Sequence, residues 1–216
     1  MDENYFGSIS DERKAYWFGF ICADGCVSKD GKYLVLELSS QDIDHINKFK
    51  YDINSHHRVR VFFRNGHEYA RINIGCTRLN FDLQKNGCVP NKSLRICFPH
   101  SVVPKRLIKH FIRGYYDGDG CLSCTKRLTG KKAGYAVNTL SFVGTYEMLS
   151  KIRDYLPAQM TIRKEGNVYR MKTQSVKNIY RNLEFLYNEA NIFLDRKYSK
   201  YIEHIKCKQK RYAKIP

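Results

Sequence analysis

Two aspartates stand in matching frames 95 residues apart, each where a carboxylate could hold a metal ion. In 17-WFGFICADGCVS-28 and 112-IRGYYDGDGCLS-123, Gly19 aligns with Gly114, Asp24 with Asp119, Gly25 with Gly120, Cys26 with Cys121 and Ser28 with Ser123. Each Asp-Gly closes an apolar, glycine-containing stretch that reads as a helix. Glycine inside a helix costs about 1 kcal/mol relative to alanine. Gly19 and Gly114 therefore need an offsetting gain, most simply the close approach of two helices. If segments 16–22 and 112–117 pack on each other across a pseudo-dyad, their C-terminal ends meet and bring Asp24 and Asp119 side by side. Helix C-termini carry partial negative charge, and two adjacent carboxylates repel unless a cation intervenes. Hard oxygen ligands beside a phosphodiester suit Mg2+, which can activate a water and stabilise a leaving oxygen. A lone Asp-Gly is most simply a helix stop. Two in register, each after such a helix and before Cys-x-Ser, weaken that alternative.

The constant offset marks an internal duplication, so the halves are read in parallel. Residues 10–22 read as a helix with Ser10 as N-cap and Gly25 as a left-handed stop. Strands over 26–29 and 33–39 follow around Asp30-Gly31, then a helix over 42–50. In 58-RVRVFFRNGHEYARINIG-75, Asn65-Gly66 is a hairpin signal. Arg58, Arg60, Phe62 and Arg64 alternate onto one face, with Tyr69, Arg71 and Asn73 on one face of the return strand. Val59, Val61, Phe63, Ala70, Ile72 and Ile74 take the opposite faces. Residues 77–86 close the half as a helix. The second half repeats the order: helix 105–117, strands near 121–127 and 136–143, helix 145–155, a hairpin over 159–173 turning at 165–167, and helix 175–189. The fold class is α+β, two pseudo-symmetric α-β-β-α-β-β-α halves. Their bounds are 1–88 and 105–194, with a proline-bearing linker over 89–104 and a basic tail over 195–216. One sheet per half leaves an arginine-bearing face open, and two such halves would form a basic saddle that fits a major groove.

Composition agrees. Lys and Arg number 38 against 21 Asp and Glu, a formal charge of +17, which points to a polyanionic partner. No apolar run approaches the ~20 residues of a membrane span, and 1-MDENYFGSISDERK-14 lacks a signal-peptide pattern. These readings lead us to expect an intracellular protein with no membrane partner. The eight cysteines are then reduced. Cys121-x-x-Cys124 lacks the second ligand pair that zinc requires.

The two stretches 17-WFGFICADG-25 and 112-IRGYYDGDG-120 resemble the paired LAGLIDADG motifs of single-chain homing endonucleases. The likeness extends over nearly the whole chain, including 91-NKS-93 in the linker and 196-RKYSKY-201 near the end. It implies a metal-dependent endonuclease that makes a double-strand break in a long DNA target. Asp24 and Asp119 would be the catalytic metal ligands, with Ala23 and Gly118 beside them in the metal site and Mg2+ or Mn2+ as cofactor. The family's earlier motif aspartate is Asp117 in the second half but Cys22 in the first, a packing or capping position. Lys172, on the second return strand, is the candidate basic residue that accompanies the acids, polarising the phosphate or ordering water, or equally a phosphate clamp or a solvated strand residue. Its first-half counterpart falls near 74-IGC-76, without charge. Ser40 or Gln41 could order water.

Base contacts are expected from Arg58, Arg60, Arg64, Arg71, Asn73, Arg163 and Arg170, since Arg can pair bidentately with guanine and Asn with adenine. Lys126, Arg127 and the tail, including Lys208 and Lys210, would touch phosphates. Because both halves lie in one chain, a monomer on an asymmetric target is expected. The same scaffold also resembles intron-splicing maturases and non-cleaving DNA-binding regulators. The termini lack intein-type splicing residues, which favours a free-standing or intron-encoded enzyme. The expected location is the cytoplasm or nucleoid of a prokaryotic or phage-infected host, or an organelle.

Overall fold

The computed structural model describes residues 1–126 and 136–212, with side chains described through residue 204 except Ser93. Arg127 and most of the 126–132 stretch lie outside the described residues, as do the side chains of Lys208 and Lys210. The first half runs α1 (Glu12–Asp24), β1 (Cys26–Val27), β2 (Tyr33–Ser39), α2 (Ile43–Asp52), β3 (Val59–Arg64), β4 (His67–Gly75) and α3 (Thr77–Lys85). The second runs α4 (Ile108–Asp119), β5 (Gly120–Lys126), β6 (Ala136–Gly144), α5 (Tyr146–Tyr155), β7 (Thr161–Glu165), β8 (Val168–Thr173) and α6 (Val176–Tyr187). A last helix, α7 (Asp195–Tyr212), follows. Both halves thus have the α-β-β-α-β-β-α order expected from the duplication.

Each half forms a four-stranded antiparallel sheet, ordered β1-β2-β4-β3 and β5-β6-β8-β7. The β3–β4 hairpin turns on Asn65 and Gly66, at φ 52° and 77°. Left-handed φ at both turn residues is what a two-residue type I′ turn demands. Strand alternation sorts the faces. Leu34, Leu36, Leu38, Ala70, Ile72 and Ile74 are buried, while Glu37, Arg71 and Asn73 are cross-strand members of the other face. In the second sheet Leu140, Phe142 and Met171 are buried, and Ser141 and Lys172 pair on the opposite face. The alternation in β3 holds, but its apolar face is not covered: Val61 is 49% and Phe63 76% exposed. β3 is an edge strand, and its outer end reaches past the helices that cover β2 and β4.

Helices α1 and α4 pack against each other along their length, and one hydrophobic core runs through both halves. The crossing is tight. A Cβ at Gly19 would overlap the carbonyl of Phe111, and one at Gly114 the carbonyl of Tyr16. Both helices run two residues further than the sequence suggests. Helix α1 begins at Glu12, with Asp11 rather than Ser10 as N-cap: its carboxylate accepts from Lys14 N at 3.0 Å. Gly25 is not left-handed but extended, at φ −70° and ψ 152°. Its lack of a side chain matters because the chain folds back on Ile21, whose Cγ2 would lie 2.6 Å from a Cβ there. Consequently Asp24 and Asp119 are the last residues of their helices, not residues beyond them.

Helix α7 ties back to the first half. Lys48 Nζ donates to Asp195 at 2.8 Å, and Arg196 donates to the buried Asp42 at 2.9 Å. Among the described residues no helix is long and apolar enough to cross a membrane.

Candidate functional site

The α1–α4 crossing sets the site. With Gly19 and Gly114 admitting backbone contact, the helices end together. At that end a Cβ on Gly118 would overlap the Ala23 Cβ, so the two motif ends touch. Asp24 and Asp119 sit there close enough for their charges to oppose each other. Burial, followed by the charge of Asp24, pushes the Asp119 carboxyl up to about 6. Burial also raises Asp24, against the charges of Lys197, Lys92 and Arg196. Asp24 keeps solvent-accessible surface although protein surrounds it on most sides. That combination is expected at the floor of a cleft, where a small ion can reach a poorly solvated carboxylate. Glu37, Ser39, Asp42, Tyr69 and Arg196 line the adjoining space.

The donor set fits a hard divalent cation: two mutually repelling carboxylates at the negative ends of two helices. Among the described residues no third His, Cys, Asp or Glu joins them in a ligand cluster. Other ligands would have to be main-chain oxygens, water or substrate phosphate. The Gly118 carbonyl already accepts from Lys197 Nζ at 2.9 Å. Asp117 lines the same space as Asp24, but its carboxylate is engaged by the core. It is fully buried and accepts from Tyr16 Oη at 2.7 Å, from Leu194 N at 2.8 Å and from Tyr187 Oη. The matching Cys22 is also buried. Cys121 and Cys124, three residues apart on β5, fall on opposite faces of the strand and do not converge on one ion.

The open sheet faces carry most of the arginines expected from sequence. Arg60 lies directly across from Arg71, and Arg163 directly across from Arg170. Like charges placed opposite each other on a sheet are destabilising, so both pairs need an anion. Within the chain a glutamate serves each face: Glu37 binds Arg64 at 2.5 Å and also Arg71, and Glu165 binds Arg170 at 2.6 Å. Phe62 and Tyr69 stack at 5.9 Å, with the Arg64 guanidinium 4.6 Å from the Tyr69 ring. A groove of about 470 Å3 on the first face is lined by His57, Arg58, Arg60, Phe62, Arg71 and Asn73. Lys126 is exposed at the far end of β5 and shares strand parity with Leu122, which sets it on the helix-facing side. Glu37 was not singled out in the sequence, because a glutamate alternating onto a polar face carries no local signal.

Lys172 lies on the open face, paired across to Ser141 and, one strand further, level with Cys121 beside Asp119. Its ammonium is 3.9 Å from Glu165. The equivalent row of the first sheet is Cys26, Val35 and Asn73. Asn73 is therefore the counterpart of Lys172, a correction to the sequence expectation of 74-IGC-76. The register of three strands, which one strand cannot reveal, makes the difference.

Two lysines that the sequence did not single out as site residues put their charges on both carboxylates. Lys197, 7% exposed, donates to the carbonyls of Tyr116 at 2.8 Å, Gly118 at 2.9 Å and Gly120 at 2.7 Å. Lys92 donates to the carbonyl of Gly25. Both lie in the stretches 91-NKS-93 and 196-RKYSKY-201 that extended the resemblance.

No protein-family model matches the chain, and no curated protein matches its sequence. Solved structures do match in fold. The LAGLIDADG meganuclease I-AabMI, bound to uncleaved DNA, aligns over 92% of this chain and 91% of its own, with a TM-score of 0.62 and 12% identity. The I-SmaMI LAGLIDADG homing endonuclease bound to cleaved DNA aligns over 96% and 93%, with a TM-score of 0.64 and 13% identity. I-SmaMI bound to an uncleaved DNA target in the presence of calcium ions covers 89% of each chain at TM-score 0.63 and 12% identity. At such low identity the likeness establishes the fold, and the fold is that of the LAGLIDADG meganucleases, with two pseudo-symmetric halves.

Proposed function

We propose that this protein is a DNA endonuclease of the LAGLIDADG homing type, making a double-strand break in a long, asymmetric duplex target with Mg2+ or Mn2+. The observation that carries this reading is the meeting of Asp24 and Asp119 at the ends of two crossed helices, between two sheets whose open faces bear opposed arginines. The duplex would lie along both sheets, with Arg58, Arg60, Arg64, Arg71 and Asn73 reading one half-site and Arg163 and Arg170 the other. Glu37 and Glu165 hold some of these arginines in place and yield them when base edges or phosphates arrive. Asp24 and Asp119 would hold the divalent cation where the two strands cross the floor of the cleft. Bound there, the ion supplies water activation and stabilisation of the leaving oxygen. Lys172, on the floor of the second sheet, would face the phosphate or the water around it. One chain carries both halves, so the enzyme would act as a monomer, wherever the genome of its host is kept.

Incubation with a randomised duplex library in Mg2+, followed by sequencing of the cut ends, tests the proposal. It predicts one long, non-palindromic site cut on both strands, with no cutting in chelator. A duplex that the protein selects and binds tightly but leaves intact in both Mg2+ and Mn2+ would make it a non-cleaving binder instead.

A further inference from the structure

The ends of the two motif helices gather negative charge from three sources: Asp24, Asp119 and the last carbonyls of α1 and α4, which lack intrahelical donors. A fold that had to wait for a metal ion to neutralise this centre would be strained without one. Two ammonium groups already meet it. Lys197 spends its three N–H donors on the carbonyls of Tyr116, Gly118 and Gly120. Lys92 reaches the carbonyl of Gly25. Gly25 and Gly120 are the same position of the repeat, 95 residues apart. Each lysine follows the third helix of its own half, Lys92 after α3 and Lys197 after α6. The arrangement is therefore duplicated with the fold. Because these hydrogen bonds go to main-chain carbonyls, the positive charge remains to act on the carboxylates. The carbonyls of Gly25, Gly118 and Gly120 flank Asp24 and Asp119 in the chain, so both ammonium groups are held beside the carboxylates.

We propose that Lys92 and Lys197 are a matched pair of positioning residues, which supply the positive charge that holds the two motif-helix ends together before a metal ion binds. The proposal builds on the reading of Asp24 and Asp119 as a metal site, yet it concerns the metal-free protein and is tested there. Thermal unfolding is measured in chelator for Lys92→Met and Lys197→Met, each alone and combined with Asp24→Asn plus Asp119→Asn. Alone, each lysine substitution should lower Tm by about 4–8 °C, the size of a 2 kcal/mol loss in a chain of this length. In the Asn background the loss should fall by at least half, because the charge the lysine served is gone. Equal losses in both backgrounds would mean ordinary packing or capping and overturn the proposal, as would no loss in either. If Lys197→Met does not fold alone, recovery of folding in the Asn background supports the proposal. Failure there as well, with Lys92→Met losing equally in both backgrounds, overturns it. Added Mn2+ should raise the Tm of each lysine variant by more than it raises that of the unsubstituted protein. An unsubstituted protein that gains nothing from Mn2+ counts against the metal site itself, while the comparison in chelator still decides the role of the lysines.

Discussion

At the scale of single residues, Asp119 gives the clearest quantitative expectation. Its carboxyl is pushed up to about 6 by burial and by Asp24. An acid that is weaker when folded holds its proton longer in the folded state. Its stabilising contribution is thus complete below the unfolded value near 4 and is lost as pH rises through about 6. In chelator this group alone should cost up to about 3 kcal/mol across that window, read as the difference in slope between the unsubstituted protein and Asp119→Asn, because Glu12 and Glu37, held below the ordinary carboxylate range, act in the opposite direction. Urea unfolding of both proteins at a series of pH values measures it; a slope between pH 4 and 6 that Asp119→Asn leaves unchanged would contradict the charge pairing. On the open face, Arg71→Ala should weaken target binding by about 1–3 kcal/mol and relax preference at a few base pairs of one half-site only. Competition binding against substituted duplexes would show this. A loss of preference on both sides of the cleavage point would count against the assignment of one half-site to each sheet. The aspartates were legible because they recur in frame. Lys92 and Lys197 were not, because their contacts span 67 residues or more and follow no local pattern.

Among the elements, the α1–α4 crossing carries the most consequence. Gly19→Ala or Gly114→Ala would drive a methyl group into a main-chain carbonyl of the other helix. Overpacking usually costs about 1–3 kcal/mol, and a backbone obstacle that cannot rotate away belongs at or above the top of that range. Gly87→Ala is the control, with φ 100° but nothing within 4 Å of the added carbon; it should show only the backbone penalty, about 1 kcal/mol. Denaturant unfolding of the three variants gives the ranking, and an Ala at Gly19 no worse than one at Gly87 would rule out the close crossing as the reason for the glycine. Elements whose signals are local were read well: the Asn65-Gly66 hairpin and the alternation of β2 and β4 need only neighbours in sequence. Helix ends were read two residues short, since Gly25 stops α1 by folding back on Ile21 rather than by a left-handed turn. The exposure of Val61 and Phe63 was hidden, because how far a strand outreaches its helices is a tertiary fact.

For the whole molecule, the account rests on two halves meeting at one charged centre beneath two basic sheet faces. The net charge of +17 implies many displaced counterions on DNA, each adding about −0.9 to the log–log slope of affinity against salt. The duplication made this architecture readable, and the cross-half ties of Asp42 to Arg196 and of Lys48 to Asp195 were visible only once folded. The central claim is that Asp24 and Asp119 act as one metal-dependent cleavage centre. Its most direct test is cleavage of the selected duplex, in Mg2+ and in chelator, by the unsubstituted protein and by Asp24→Asn and Asp119→Asn. The account predicts double-strand cleavage by the unsubstituted protein in Mg2+ alone, and none by either variant, with target binding largely kept by both. Full double-strand cleavage by either variant, or by the unsubstituted protein in excess chelator, would contradict it.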